Sequence, residues 1–195
     1  MSYNFFAYIS RMRYINRWSL MRNSLPENIQ EHSHMVAVLA HALGIIRRDI
    51  FKIPCDADKC ASVALYHDCS EILTGDLPTP IKYHSQEILG AYRQVEELAC
   101  NKLLDTLPPE LKSAFSPVLN GEDAESYHDI VKAADKLSAY IKCIEERKAG
   151  NNEFLSAEKQ IRSQLEENPL PELKYFIENF IPAFELSLDE LGTIE

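Results

Sequence analysis

The sequence predicts an all-α protein, folded as one helical domain over residues 1–195. Apolar residues recur three or four positions apart through almost the whole chain, as in helices that bury one face. Alternation with a period of two, which marks half-buried strands, is scarce, and the 195 residues include only 6 glycines. A hydrophobic content of 46% is enough for a full core, and no repeat or low-complexity linker divides the chain.

Three helices are expected in the first half of the chain. The first covers about 5–15, and the stretch 16–23 lacks periodicity, so we expect it to be a surface loop. A turn at 24–28 leads into the second helix, whose apolar face is so wide that we expect it at the centre of the fold. The third is predicted at about 57–73, because Gly75 and the prolines after it would end a helix there.

The second half of the chain continues the same pattern. An amphipathic helix is expected at 85–107, and Pro109 then begins a short helix, as proline often does at a first helical position. The stretch 125–149 has a long apolar face and ends before a glycine. Two more helices are predicted at 153–166 and 171–185, with a kink at Pro182.

Composition and charge exclude several classes of function. The net charge is −10 and the isoelectric point near 5.1, without a basic run, which argues against binding a nucleic-acid polymer. No segment reaches the roughly 18 consecutive apolar residues of a membrane span. The 5 cysteines are an odd number without a C-x-x-C pair, so we expect reduced thiols in a cytoplasmic protein.

The stretch 66–76 concentrates ionisable residues in apolar surroundings. His67 and Asp68 are adjacent, and Asp76 follows the expected helix end. On a continuous helix Glu71 would share one face with both, since it comes four and three positions later. Burying these groups together is costly unless a cation binds them, so the stretch predicts a metal site.

Two further residues fit the same site. His32 lies near the start of the central second helix, and Asp135 has apolar neighbours at helical spacing, so we expect it to point inward. Each has a simpler interpretation, since a lone histidine is usually a surface or core residue and a buried aspartate can cap a backbone. Along the chain, however, a histidine comes before the His-Asp pair and an aspartate comes after it, and this order favours a shared metal site.

Several longer motifs surround these residues: Ile15-Asn16-Arg17-Trp18, Glu27-Asn28-x-x-Glu31-His32-Ser33, Tyr66-His67-Asp68-x-x-Glu71-x-x-Thr74-Gly75-Asp76-Leu77-Pro78-Thr79-Pro80 and Ala134-Asp135. The sequence resembles the HD-domain superfamily of metal-dependent phosphohydrolases, whose signature is H…HD…D. The longer runs are similar to the bacterial 5′-deoxynucleotidase group within it. The resemblance covers most of the chain and implies a single HD-domain helical bundle.

The resemblance also implies an activity and a set of site residues. The expected activity is hydrolysis of deoxyribonucleoside 5′-monophosphates by attack of metal-activated water. The mixed imidazole and carboxylate ligands suit one divalent transition metal, Co²⁺ first, with Mn²⁺ or Zn²⁺ as alternatives. The metal ligands would be His32, His67, Asp68 and Asp135.

Roles for the remaining residues are expected as follows. Arg17 would bind the phosphate, and Trp18 would shape a sugar pocket that excludes a ribose 2′-hydroxyl. Glu71 and Asp76 are the candidates for proton transfer, with the division of acid and base open. The residues expected to contact substrate are Arg17, Trp18, Asp68, Asp76, Leu77, Pro78, Thr79 and Asp135.

Alternatives remain open at this point. Another HD hydrolase would act on a cyclic nucleotide or a nucleoside polyphosphate, and a non-catalytic HD protein would bind a nucleotide without turnover. His34, His41, His84, His128 and Lys82 are not assigned to the site. A homodimer is expected, through an apolar stripe that could equally pack in the core, formed by Phe176, Ile177, Phe180, Ile181 and Phe184.

Overall fold

The computed structural model describes residues 2–82 and 84–192, without the side chain of Thr79. This part of the chain is all-α, as predicted, with an isolated antiparallel bridge between Asn16 and Asn28 as its only extended pairing. None of the described helices is long and apolar enough to cross a bilayer. The α-helices are α1 (Phe5–Ile9), α2 (Ile29–Ile45), α3 (Ala57–Tyr66), α4 (Glu71–Thr74), α5 (Thr79–Lys82), α6 (Gln86–Leu104), α7 (Pro109–Leu119), α8 (Glu122–Ser126), α9 (His128–Lys148), α10 (Leu155–Glu166) and α11 (Pro171–Asn179).

Helix α2 forms the centre of the fold and packs against α3 and α9. Its start is fixed by a capping box, in which Asn28 Oδ1 accepts hydrogen bonds from the backbone of Gln30 and Glu31 at 3.1 and 3.0 Å. Along its length, buried apolar side chains join those of α3 and α9 in the main core. The wide apolar face of this helix predicted its central position, and the packing against α3 and α9 confirms that prediction.

Helices α2 and α3 approach each other closely at Gly44. A Cβ atom on Gly44 would lie 2.9 Å from the Cα of Ala57, so any larger residue would push the two helices apart. This contact matters for function because α2 and α3 each carry one histidine of the candidate site.

The predicted third helix over 57–73 is wrong as one continuous element. Helix α3 ends at Tyr66, and α4 begins at Glu71. Between them the backbone bonds join residues three apart, including Cys69 N–H to Tyr66 O at 3.0 Å and Glu71 N–H to Asp68 O at 3.0 Å. This tighter turn buries Cys69 in a second core formed with Phe5, Cys100, Leu103, Leu104, Leu107 and Leu119.

Other expected boundaries also move where local geometry changes. The first helix stops at Ile9 and continues as a 3₁₀ turn, and the helix expected at 125–149 begins at His128 after the separate α8. The last helix ends at Asn179, and Pro182 lies in a following 3₁₀ turn, since proline lacks the N–H that an α-helix needs. Most of the C-terminal stripe packs in or against the core, while Phe180 is 45% exposed.

Glu146, at the end of α9, fastens the loop that carries Arg17 and Trp18. Its side chain is 1% exposed and accepts hydrogen bonds from the backbone N–H groups of Ser24 and Leu25 at 2.8 and 3.3 Å. Lys142 Nζ and Asn151 Nδ2 also donate to it, at 2.5 and 2.8 Å. Burial raises the pKa of Glu146, but these hydrogen bonds outweigh burial and lower the pKa to about 2.

We expect Glu146→Gln to destabilise the fold by about 2–3 kcal/mol at pH 7, because the buried Lys142 loses its counter-charge. A carboxylate whose pKa falls on folding stabilises the protein above its unfolded pKa of 4.5 and ceases to do so near pH 2. The difference between variant and unmodified protein should therefore shrink as the pH falls below 4.5. Urea unfolding at several pH values measures it. The exposed neighbour variant Glu145→Gln should change stability by less than about 0.5 kcal/mol, and an equal loss there would contradict the assignment.

Candidate functional site

Three helical segments bring two histidines and an aspartate together. His32 lies in the first turn of α2 and is fully buried, His67 caps the end of α3, and Asp135 lies in the middle of α9. One ligand atom from each of these residues lies within 4.8 Å of the others. The separation suits coordination of a single ion.

Asp68 borders this group from the turn after α3. Its Oδ2 lies 3.2 Å from His67 Nε2 and 3.6 Å from His32 Nε2, while Asp135 Oδ1 lies 3.0 Å from His32 Nε2. Asp135 was expected to point inward, but its side chain is 39% exposed. Asp135 is therefore only partly buried, with Oδ1 close to the buried ring of His32.

Both imidazoles are held through Nδ1, which leaves Nε2 directed into the site. His67 Nδ1 lies 2.7 Å from the carbonyl oxygen of Ala64, which can only accept, so Nδ1 carries the proton. His32 Nδ1 pairs with the hydroxyl of Ser138 at 3.1 Å. Such support on the far nitrogen is characteristic of metal-binding histidines.

The residues present fit a divalent metal. Among the described residues, the buried polar atoms without a hydrogen-bond partner include Nε2 of His32 and Nε2 of His67. Both nevertheless lie within 3.6 Å of carboxylate oxygens. Lone pairs that converge in this way, from two imidazoles and from carboxylates, form the mixed nitrogen and oxygen set that first-row divalent metals bind.

The charges of the site keep its two aspartates ionised. Burial raises the pKa of Asp68, but His67, His32 and Arg17 outweigh burial and hold that pKa well below its usual range. Burial also raises the pKa of Asp135, but His32 and Arg17 outweigh burial and lower that pKa to about 2. Burial lowers the pKa of His67, yet the Asp68 carboxylate raises it above the ordinary value. Both aspartates are therefore available as carboxylates to bind a cation.

Arg17 reaches the same carboxylates from the loop before α2. Its Nη1 lies 3.4 Å from Asp68 Oδ2 and its Nη2 lies 3.9 Å from Asp135 Oδ1, while its Nε donates to Glu27 at 3.1 Å. Burial lowers the pKa of Arg17, but the surrounding carboxylates raise it above the usual value. The guanidinium is therefore charged and directed at the candidate metal ligands.

Trp18 stands beside Arg17 in a left-handed backbone conformation, with φ of 55°. Its indole N–H donates to Glu27 Oε2 at 3.1 Å, and its ring meets the ring of Phe154 edge-on, with centroids 5.2 Å apart. The half-buried ring thus packs against Phe154 on one side and keeps part of its surface exposed.

Glu71 and Asp76 lie on the side of the site formed by α4. Glu71 is 7% exposed, and its Oε2 is among the buried atoms without a hydrogen-bond partner in the described structure. Burial, followed by the charges of Asp68 and Asp76, raises the pKa of Glu71 to about 9. Burial also raises the pKa of Asp76. Glu71 is therefore a carboxyl group that can carry a proton near neutral pH.

The remaining expected contacts lie in the loop after α4. Gly75 ends α4 with φ of 74°, as predicted, and Leu77 and Pro78 follow as half-buried residues. The side chain of Thr79 lies outside the described residues. Of the residues not assigned to the site, His34, His84 and His128 are exposed, His41 pairs with Asp58 at 3.3 Å, and Lys82 pairs with Glu96 at 2.8 Å.

Two residues of the site were missed from the sequence. Ser138 comes three positions after Asp135, so helical geometry alone would have put it on the same face. Glu27 opens the motif Glu27-Asn28-x-x-Glu31-His32-Ser33, but nothing in that pattern predicts a role for its carboxylate. Polar contacts of this kind depend on tertiary structure, which periodicity does not report.

The fold is that of known HD-domain phosphohydrolases. An HD-domain phosphohydrolase from Listeria innocua matches with a TM-score of 0.80 at 23% identity, over 97% of this chain and 92% of its own. The HD phosphohydrolase of cyanophage S-2L, solved bound to dA and one catalytic Zn²⁺ ion, matches with a TM-score of 0.59 at 23% identity, over 90% and 95% of the two chains. Together with the histidine and aspartate cluster, this fold defines an HD-domain protein.

Sequence comparison identifies the family within the HD-domain proteins. The family model described as 5′-deoxynucleotidase YfbR-like matches residues 4–184. The 5′-deoxynucleotidase of Erwinia tasmaniensis is 48% identical over 190 residues, and 5′-deoxynucleotidase YfbR of Escherichia coli is 48% identical over 193 residues, each alignment covering 97% of this chain and 96% of the relative. The chain belongs to the YfbR-like 5′-deoxynucleotidase family.

Proposed function

We propose that this protein is a metal-dependent phosphomonoesterase that hydrolyses deoxyribonucleoside 5′-monophosphates to deoxyribonucleoside and phosphate. The observation that carries the proposal is the convergence of one ligand atom each from His32, His67 and Asp135 within 4.8 Å, with the Arg17 guanidinium facing Asp68 and Asp135. A metal held there and a charged arginine together suit a phosphate dianion. The named activity of relatives at 48% identity supports the same reaction.

His32, His67, Asp68 and Asp135 are the residues proposed to hold the metal. Their nitrogen and oxygen donors support one divalent transition metal. We propose Co²⁺ first, with Mn²⁺ and Zn²⁺ as the alternatives. When bound, such an ion polarises a phosphoryl oxygen and lowers the pKa of water for attack on phosphorus. The catalytic Zn²⁺ of the cyanophage protein is consistent with a divalent ion here.

Arg17 is proposed to bind the phosphate through its Nη1 and Nη2 atoms. A guanidinium presents two parallel N–H donors that match two phosphate oxygens, and its charge offsets part of the dianion. Because Asp68 and Asp135 lie beside these donors, the phosphate would meet the arginine next to the proposed metal ligands.

Glu71 is proposed to handle the transferred proton. Hydrolysis breaks the bond from phosphorus to the 5′-oxygen, which must gain a proton, while the attacking water loses one. The unpaired Oε2 of Glu71 and its raised pKa support a role for this carboxyl in that exchange. Asp76 is the second candidate, either at the leaving 5′-oxygen or at the sugar 3′-hydroxyl.

Trp18 and the loop after α4 are proposed to enclose the deoxynucleoside. A rigid indole ring, fixed by Glu27 and Phe154, supports exclusion of a ribose 2′-hydroxyl by steric contact. Leu77, Pro78 and Thr79 are proposed to line the other side of the nucleoside, with Asp68 and Asp135 nearer the phosphate.

The test is phosphate release from dAMP and from AMP by metal-stripped protein resupplied with Co²⁺, Mn²⁺, Mg²⁺ or Zn²⁺. We expect metal-dependent turnover, with kcat/KM for dAMP at least about tenfold above that for AMP, since a 2′-hydroxyl would collide with the fixed ring. Equal rates for dAMP and AMP would support a phosphatase but contradict the proposed selectivity for deoxyribose. Metal binding without turnover would favour a cyclic-nucleotide or polyphosphate hydrolase, or a nucleotide-binding protein without activity.

We also propose that the protein is a cytoplasmic homodimer. All five cysteines have free thiols, four of them buried, which is consistent with a reducing compartment. The C-terminal stripe is mostly used in the core, and Phe180, which is 45% exposed, is its member left at the surface for an interface. Light scattering of the purified protein measures its mass, and a monomer at micromolar concentration would contradict the dimer.

A further inference from the structure

A single carboxylate oxygen ties together the two side chains assigned to phosphate and sugar. Glu27 Oε2 accepts a hydrogen bond from Arg17 Nε at 3.1 Å and another from Trp18 Nε1 at 3.1 Å. We propose that Glu27 is a positioning residue that sets the direction of both side chains, an inference that rests on the proposed function. Glu27 would act through these two neighbours, without touching the substrate.

For Arg17 the bond to Glu27 determines which edge of the guanidinium is available. Nε is occupied by Glu27, so the Nη1 and Nη2 edge is turned toward Asp68 and Asp135, at 3.4 and 3.9 Å. Without Glu27, these two carboxylates would be the nearest anions and would draw the whole guanidinium onto themselves. Glu27 therefore keeps Arg17 at the edge of the metal cluster, where a phosphate can reach its donors.

For Trp18 the same bond fixes the plane of the indole. The residue has φ of 55°, a region that bulky residues rarely adopt, so the surrounding contacts must hold it. The ring is held by Glu27 at its N–H and by the edge of the Phe154 ring, and Asn23 Nδ2 donates to the Trp18 carbonyl at 3.3 Å. Glu27 is the one polar partner of the ring among the described contacts.

The backbone around Glu27 is held independently of its carboxylate. The N–H of Arg17 donates to the Glu27 carbonyl at 2.9 Å, and the N–H of Ile29 donates to the Ile15 carbonyl at 3.0 Å. These bonds close the loop at its base and survive any side-chain substitution at position 27. A variant at this position should therefore fold and retain its metal ligands, and its defects would report positioning.

The experiment compares Glu27→Ala and Glu27→Gln with the unmodified protein, loaded with the metal that supports turnover. Glu27→Ala should raise KM for dAMP by about tenfold or more while metal content is unchanged, because the phosphate loses an oriented guanidinium. The dAMP to AMP ratio should fall toward unity as the indole is released. For Glu27→Gln, both KM and the dAMP to AMP ratio should lie between the values of Glu27→Ala and the unmodified protein, since an amide oxygen still accepts a hydrogen bond. The matched control is Glu31→Gln, four positions after Glu27. Its amide oxygen can still accept the capping-box hydrogen bond from the Asn28 N–H, so KM and the dAMP to AMP ratio should be unchanged.

Emission from Trp18 tests the same idea without turnover, because it is the only tryptophan in the chain. Glu27→Ala should shift the emission to longer wavelength and increase quenching by acrylamide, and Glu31→Gln should do neither. Unchanged emission together with an unchanged dAMP to AMP ratio would overturn the proposal. If the unmodified protein hydrolyses neither nucleotide, the proposed function fails, while the emission still decides whether Glu27 positions Trp18.

Discussion

Asp68→Asn is expected to lower kcat/KM for dAMP by about a thousandfold or more and to weaken metal binding. Asp68 Oδ2 lies between His67 Nε2, His32 Nε2 and Arg17 Nη1, at 3.2, 3.6 and 3.4 Å. An asparagine has nearly the same shape but no charge, so His67 Nε2 would lose its neighbouring carboxylate and Asp135 would remain as the only anion beside His32 and Arg17 among the proposed ligands. The folded structure should persist, because the adjacent Cys69 still anchors the turn in the second core.

The measurement pairs turnover with metal content of the purified variant by mass spectrometry. A matched control is Asp58→Asn, a substitution of the same kind at an aspartate whose side chain is 95% exposed and which contacts only His41 among the described ion pairs. It should leave turnover and metal content unchanged. Full metal occupancy with undiminished turnover in Asp68→Asn would remove Asp68 from the ligand set.

Glu71→Gln is expected to lower kcat by about a hundredfold to ten-thousandfold, the usual contribution of a positioned acid or base, with metal content unchanged. The amide cannot exchange a proton with water or with the leaving oxygen. The exposed variant Glu97→Gln on α6 serves as the control. Undiminished turnover in Glu71→Gln would indicate that Asp76, and not Glu71, transfers the proton.

The same substitution should stabilise the metal-free protein at alkaline pH. The pKa of Glu71 rises from 4.5 to about 9 on folding, so the folded state retains a proton that the unfolded state has lost between these values. The unfolded state therefore gains free energy by ionising Glu71 as the pH rises from 4.5 toward 9, and the folded protein loses that much stability. Metal-free Glu71→Gln should be up to about 5 kcal/mol more stable at pH 8, with the difference vanishing near pH 4.5. Thermal unfolding of the two metal-free proteins at both pH values measures it.

The helical class and the ligand pattern could be predicted because both depend on signals repeated along the chain. The wide apolar face of α2 and the long apolar face of α9 determined their central positions. The H…HD…D order then put His32, His67 and Asp135 on elements that pack together. These predictions needed only the 3.6-residue period and the identity of the ionisable residues.

The break after Tyr66 could not be predicted from the same signals. The stretch 57–73 has helical periodicity throughout, but Cys69 is buried in a different core from α3, and a tight turn is required to reach it. Similarly, the partial exposure of Asp135 depends on how the helices pack, which its apolar neighbours in sequence do not reveal. The hydrogen bonds of Glu27 and Ser138 are tertiary contacts and carry no periodic signal.

Helix α9 performs two tasks with one face. Asp135 approaches His32 Nε2 from one side, and Ser138, one turn later, holds His32 Nδ1 from the other. A small rotation of α9 about its axis would therefore displace Asp135, a proposed metal ligand, and at the same time misorient His32 through Ser138. Core substitutions beneath α9, far from any substrate, should consequently act on metal affinity before they act on the fold. The apolar packing of this helix thus serves as the alignment mechanism of the metal site.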